Sequence, residues 1–246
     1  MAGAEATLCQ EAYQLLARLN TIDAQRVGDP EFPTTQFDEF PAANRYANVY
    51  PSQKINVLVN LTPLVEHGFP KSDQYWPTSP SEPLTVDHLW KVSLLSEKDA
   101  HDSFDAESAS LAHNVPHLRV RHLRIESLVH DRQHEVTQMH FEGWPDHGVL
   151  DLQVLFGLLE AMHALQSRSA ERPPVWVHCS AGIGRSGTLI GAYLLQQRAE
   201  TLASQQPLSM AGDVTAHMRK YRAGTVQTSG QLVVLALAAA KMQATR

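Results

Sequence analysis

Leu8, Leu15, Leu16 and Leu19 recur close to helical spacing, which predicts an amphipathic helix over residues 7–19. A turn-rich stretch follows, with Gly28-Asp29-Pro30 and Pro33, and closes at Pro41. Residues 55–61 (Ile-Asn-Val-Leu-Val-Asn-Leu) are apolar and β-branched between Pro51 and Pro63, the pattern of a buried strand. Residues 77–83 read as a loop, and 89–95, 118–125 and 135–141 as further strands. Residues 97–116 are rich in Asp, Glu, Ser, Ala and His; with little to bury, they are expected to form an exposed loop or insertion. Asp151 is placed to cap a helix whose Leu155, Leu158, Leu159, Met162 and Leu165 share one face. Pro174 to His178 is a short apolar strand leading into a glycine-rich turn and a helix, and two more helices are expected at about 208–222 and 229–242. Strands and helices are mixed without strict alternation, so the fold class is α/β (α+β) with a mixed sheet.

Composition narrows the class. Hydrophobic residues make up 43% and charged residues 19%, a globular balance. The net charge of −6 argues against a nucleic-acid partner bound through counterion release, yet leaves room for a small basic pocket. Two cysteines, Cys9 and Cys179, are too few for a disulfide scaffold or a four-thiolate metal site, which points to a reducing, cytoplasmic compartment. The first residues carry Glu5 and Glu11 but no basic segment or long apolar run, so no signal peptide is expected. The longest apolar run, 232–240, is nine residues, about half of the ~20 that a membrane span needs, and no membrane association is expected.

Chemistry concentrates in Val177-His178-Cys179-Ser180-Ala181-Gly182-Ile183-Gly184-Arg185-Ser186-Gly187. A thiol ends a strand, and an arginine follows five residues later where a helix begins. Gly182 and Gly184 allow backbone conformations closed to other residues. Such a loop can turn successive N–H groups inward as an anion nest, and a helix N-terminus adds positive potential. Arg185 offers a planar fork for two phosphate oxygens. Thiols in such fields ionise readily, so Cys179 is a candidate nucleophile aimed at phosphorus, with a phosphocysteine intermediate. An acid for the leaving group is available in Trp144-Pro145-Asp146-His147-Gly148-Val149, where Trp144 can anchor a lid that carries Asp146.

These segments resemble those of the cysteine-dependent protein tyrosine phosphatases, non-receptor type. Residues 178–187 are similar to the family's phosphate-binding signature and 144–149 to its acid loop. Asn44-Arg45-Tyr46-Ala47-Asn48-Val49 is similar to its phosphotyrosine-recognition loop, and Val226-Gln227-Thr228-Ser229-Gly230-Gln231 to its glutamine loop. Glu66, Gly68, Lys71 and Tyr75-Trp76-Pro77 resemble the stretch whose Glu orients the signature Arg and whose Lys touches the acid loop. The resemblance implies a twisted mixed sheet flanked by helices, an N-terminal helix and connector over 1–35 and a catalytic domain over 36–246. It implies hydrolysis of phosphotyrosine in proteins or peptides, without cofactor or metal. Cys179 would attack phosphorus, with His178 beside it. Ser180, Ala181, Gly182, Ile183, Gly184 and Arg185 would hold the oxygens, and Tyr46 and Asn48 would receive the phosphotyrosine. Asp146 would act as acid and then base, Ser186 would aid release of the thiolate, and Gln227 and Gln231 would position water. Thr228 and Gln231 also fit a capping box, which gives Gln231 a structural reading.

The chain departs from the family between Tyr50 and Ile55, where two strands, a Thr-Gln-Gly-Pro turn and an aromatic-rich helix have no counterpart. An open sheet edge is the expected result. Two other readings share the loop: a dual-specificity or lipid phosphatase, which generally lacks the recognition and glutamine loops, and a non-catalytic phosphotyrosine-binding pseudophosphatase. A Cys-His protease is more distant, since Arg185 has no role in acyl transfer.

Overall fold

A computed structural model describes residues 2–26, 55–145, 148–168, 174–198 and 204–245. In chain order the elements are α1 (Ala2–Gln25), β1 (Val57–Asn60), β2 (Val65–Glu66), β3 (Phe69–Pro70), β4 (Leu84–Val86), β5 (Trp90–Asp99), α2 (Ala100–Ser103), α3 (Ser110–His113), β6 (Leu118–Ser127), β7 (Gln133–Phe141), α4 (Leu152–Gln166), β8 (Val175–His178), α5 (Arg185–Arg198), α6 (Pro207–Arg219) and α7 (Ser229–Ala244). They form two compact units, one of Arg45–Gly143 with Phe156–Ser180, the other of Met1–Asn44, Trp144–Leu155 and Ala181–Arg246.

The first unit is built on a six-stranded sheet of order β4-β5-β6-β7-β1-β8. The apolar run over 55–61 supplies β1, buried at all four positions as befits a strand with parallel neighbours on both sides, β7 and β8. The other pairings are antiparallel, so the sheet is mixed, as the sequence pattern implies. β8 ends the sheet, and among the described residues it pairs with β1 alone. Trp76, Leu94 and Leu123 form a core cluster joined by Leu64 and Tyr75. His67 (φ 52°) and Gly68 (φ 81°) are the two left-handed residues of the β2–β3 turn, the geometry that a two-residue hairpin with right-handed twist requires.

Residues 97–116 differ from the expected loop. Glu97, Lys98 and Asp99 continue β5 in register with Arg121, Val120 and Arg119 of β6. The next residues form α2, which packs on β5 and β6, and then α3. Ala100, Phe104, Ala109, Ala112 and Val115 are buried. Small alanines supply the burial, so the segment is apolar where it packs although its composition is polar. Glu160 of α4 accepts a hydrogen bond from the Ala112 backbone N–H at 2.8 Å.

The second unit contains α1, α5, α6 and α7, with α1 packed on α6 and α7. The α1 stripe buries Ala12, Leu16 and Leu19, and Leu15 lies against Gly212 of α6, where a Cβ would come within 2.7 Å of the leucine. α1 thus runs well beyond the predicted 7–19, and α6 stops at Arg219, short of the predicted end at 222. α7 begins with the predicted capping box at Thr228 and Gln231.

Candidate active site

The signature loop passes from one unit to the other between Ser180 and Ala181, so each half is described in its own unit. In the sheet unit, β8 delivers His178 and then Cys179, which is buried. The His178 carbonyl accepts from Leu61 N–H at 2.9 Å, continuing the β1–β8 pairing one step further. The His178 Nδ1 lies 3.2 Å from the Cys179 carbonyl, which can only accept, so Nδ1 carries the proton. The Nε2 lone pair then accepts from the Tyr75 hydroxyl at 2.7 Å. Burial lowers the His178 pKa to about 4, with smaller contributions from the Cys179 carbonyl in the opposite sense and from His140 in the same one. The ring is therefore neutral at physiological pH and fixed in one tautomer.

A buried polar network supports this arrangement. Tyr75 meets Trp76 edge-on at 4.9 Å, and Trp76 meets His140 in the same way at 4.9 Å. The buried Arg121 guanidinium lies 4.7 Å from the Trp76 ring centre, donates to Gln138 Oε1 at 3.0 Å and lies 3.1 Å from His140 Nδ1. Since Arg121 can only donate, His140 Nδ1 accepts, and its Nε2–H donates to the Thr62 carbonyl at 2.9 Å. Glu97 balances the guanidinium charge. Glu66 ends β2, and Lys71 follows β3 with its backbone N–H on the Leu64 carbonyl at 2.8 Å.

In the helical unit, Arg185 is buried in the first turn of α5, followed by Ser186, whose buried Oγ has no hydrogen-bond partner among the described residues. Gly182 has φ 71°, as expected of a loop glycine. Gly184 does not take a positive φ, contrary to expectation; the demand there is space. A Cβ on Gly184 would come within 3.0 Å of Gln227 Oε1 and 3.1 Å of Gln231 Nε2. Both glutamine amides are therefore packed against the Cys-x5-Arg loop. The two loops are also tied by the backbone, with Val226 N–H donating to the Ile183 carbonyl at 3.0 Å. Arg222 Nη2 donates to the Ala181 carbonyl at 2.8 Å.

Gln231 does the structural work that its capping box implied. Its Oε1 accepts from Gln227 N–H at 2.9 Å and Thr228 N–H at 3.3 Å, while its own N–H donates to Thr228 Oγ1 at 3.2 Å. Both ends of its amide also face Gly184, Nε2 at 3.1 Å and Oε1 at 3.5 Å from where a Cβ would stand. On the acid loop, Trp144 is buried and its Nε1–H donates to the Gly148 carbonyl at 3.3 Å. Val149 packs on Gly230 at the start of α7. Asp146 itself lies outside the described residues, as do Tyr46 and Asn48.

The sequence did not signal Arg219. This buried residue of α6 donates to the carbonyls of Thr225 (2.9 Å) and Val226 (3.0 Å), and to Asn20 and Asp23 of α1 (both 3.0 Å). Asp23 also accepts from Gly224 N–H at 3.0 Å. The turn that carries Gln227 is thus clipped to a helix some two hundred residues away in sequence, a link that local pattern cannot reveal.

The family model described as protein-tyrosine phosphatase matches residues 45–241. The chain belongs to that family. Tyrosine-protein phosphatase non-receptor type 2 of Homo sapiens is 33% identical over 184 residues, covering 73% of this chain and 39% of that protein. Receptor-type tyrosine-protein phosphatase H of Homo sapiens is 32% identical over 184 residues, covering 74% and 15%. Tyrosine-protein phosphatase 99A of Drosophila melanogaster is 31% identical over 186 residues, covering 74% and 13%. The chain thus spans about two fifths or less of the length of these family members. Among the described residues no helix is long and apolar enough to cross a membrane.

Proposed function

We propose that the chain hydrolyses phosphotyrosine in proteins or peptides through a phosphocysteine intermediate. Cys179 thiolate attacks phosphorus as the bond to the tyrosine oxygen breaks, and Asp146 gives that oxygen its proton. Water then attacks phosphorus, Asp146 takes a proton from it, and the sulfur–phosphorus bond breaks to release inorganic phosphate and the thiolate. Arg185 and the amides of Ser180 to Gly184 hold the equatorial oxygens, with Glu66 orienting Arg185 and Lys71 touching the acid loop. Tyr46 and Asn48 receive the phosphotyrosine. Ser186 stabilises the departing thiolate, and Gln227 and Gln231 position the water. His178, neutral and bonded to Tyr75, fixes the backbone from which Cys179 projects. The reading needs no metal or cofactor, and it places the protein in the cytoplasm, in signalling by dephosphorylation.

The observation that supports it best is the pair of glutamine amides against Gly184. A water-positioning glutamine has a use only when an enzyme-bound phosphate must be hydrolysed, and dual-specificity and lipid phosphatases generally lack this loop.

The test is hydrolysis of a phosphotyrosine peptide beside phosphoserine peptide and phosphoinositide controls. Cys179→Ser should abolish turnover while keeping phosphopeptide binding, and Arg185→Lys should be nearly as severe, because a point charge cannot replace the bidentate fork. Asp146→Ala should lower kcat by roughly 10²–10⁴ and flatten the basic limb of kcat/KM against pH. Preference for phosphoserine or phosphoinositide would overturn the substrate assignment, and binding without turnover would make the chain a pseudophosphatase.

A further inference from the structure

The strand extension at Glu97–Asp99 helps build a polar cavity on the sheet unit, and no signature-loop residue lines it. Ser96 pairs with His122 across β5 and β6, and Lys98 pairs with Val120, so these four share one face of the sheet. With Asp102 and Ser103 of α2, and Arg168 just beyond α4, they line a cavity of about 120 Å³. Its donors have capacity to spare. Arg168 gives one Nη2–H to the Ser103 carbonyl at 3.1 Å, which aims the guanidinium across α2 and leaves its other N–H groups. His122 Nδ1 meets Thr137 Oγ1 at 3.2 Å, leaving Nε2 for another partner. The Lys98 side chain makes no hydrogen bond or ion pair among the described residues. The one carboxylate in the lining, Asp102, is engaged by His101 at 3.3 Å, and Glu135 on the neighbouring β7 is engaged by Arg124 at 2.9 Å.

We propose that this cavity is a binding site for a tetrahedral oxyanion of the phosphate class, held by Lys98, His122 and Arg168 with the hydroxyl of Ser96. The geometry suits it: two cations and a ring nitrogen line a space of ion size, and the Ser96 hydroxyl can rotate toward a remaining oxygen, while the Ser103 hydroxyl is held by the Asp99 carbonyl at 2.7 Å. The electrostatics agree. Burial lowers the His122 pKa, and the Arg168 and Lys98 cations lower it further against an opposing pull from Glu135. A dianion in the cavity would offset those cations and let the imidazole protonate.

The experiment follows the His122 ring resonances by NMR in the full chain, with sulfate as a probe whose charge stays fixed across the pH range. Sulfate should shift His122 saturably and raise its titration midpoint by about one pH unit. Linkage then requires binding several-fold tighter at pH 5.5 than at pH 7.5. Lys98→Gln and Arg168→Gln should each weaken binding by about tenfold with the fold intact by circular dichroism. The Cys179→Ser variant should keep the whole response, which separates this site from the phosphatase reading. Inorganic phosphate and a phosphoserine peptide form the second arm: tighter binding of the first assigns the site to the free anion, and tighter binding of the second to a phosphorylated chain. Absence of a saturable His122 shift with every probe, or the same shift in both cation variants, would overturn the site.

Discussion

At the scale of single residues, Gly184 and His178 carry the sharpest expectations. In Gly184→Ala the new methyl must displace one or both glutamine amides, which stand 3.0 and 3.1 Å from its position. A misplacement of about 1 Å can cost about 10²-fold in rate, so the smaller shift required here has that as its upper bound. Single-turnover kinetics should show the loss in hydrolysis of the phosphoenzyme, with tyrosine release and Tm nearly unchanged; a loss confined to tyrosine release would refute the packing argument. For His178, burial lowers the folded pKa to about 4 from an ordinary 6.5. Between those values the unfolded chain binds more protons than the folded one, so stability rises with pH there. It is fully present above about 6.5 and is lost as the pH falls toward 4, by roughly 3 kcal/mol as an upper bound. Urea unfolding at pH 7, 5.5 and 4.5 should show this slope, and His178→Asn should flatten it.

Elements show what local pattern can and cannot reveal. β1, β8 and α4 were legible because their apolar runs and helical stripes are strong enough to decide burial alone. So was α7, whose capping box is written within four residues. The signature loop made the family legible, because Cys, Gly and Arg at that spacing have few other uses. β2, β3 and β4 carry no strand signal in the sequence; two or three residues each, they are defined by their partners and not by any period. Glu97 to Asp99 carry no strand signal of their own because the strand continues there on charge, paired across to β6. The Arg219 clip was invisible for the same reason at longer range. Breaking it tests how far it holds the unit together. Arg219→Leu leaves Asp23 without its cation and two turn carbonyls without donors, so about 3–5 kcal/mol should be lost on unfolding. Asp23→Asn retains an oxygen for Gly224 N–H and should cost less. Equal losses in the two variants would mean that the ion pair, and not the carbonyl bonds, dominates.

The expected shortening after Tyr50 lies outside the described residues, and for the molecule as a whole it is the end of the sheet that bears on colloidal behaviour. β8 lies at the end of the sheet order, its Val175, Trp176 and Val177 only half-buried, and no charge interrupts them. Strands of this kind invite pairing with other chains. Light scattering in the micromolar to millimolar range should detect association, and Val175→Lys should suppress it without altering the unfolding midpoint. Unchanged association would move the cause to another surface.

The contact between α1 and the turn at Gly224–Val226 has a temporal meaning as well. Asp23 reaches that turn both directly and through Arg219, and the next residue is Gln227, which the proposed cycle uses in its hydrolytic half. A loosened α1 should leave the first half alone. In Asp23→Ala, rapid mixing with an aryl phosphate should then give a full-amplitude burst of phenol followed by a slowed steady phase. The trapped phosphoenzyme would make the N-terminal helix a governor of how long the enzyme stays occupied after each encounter, and so of how many substrates it can clear.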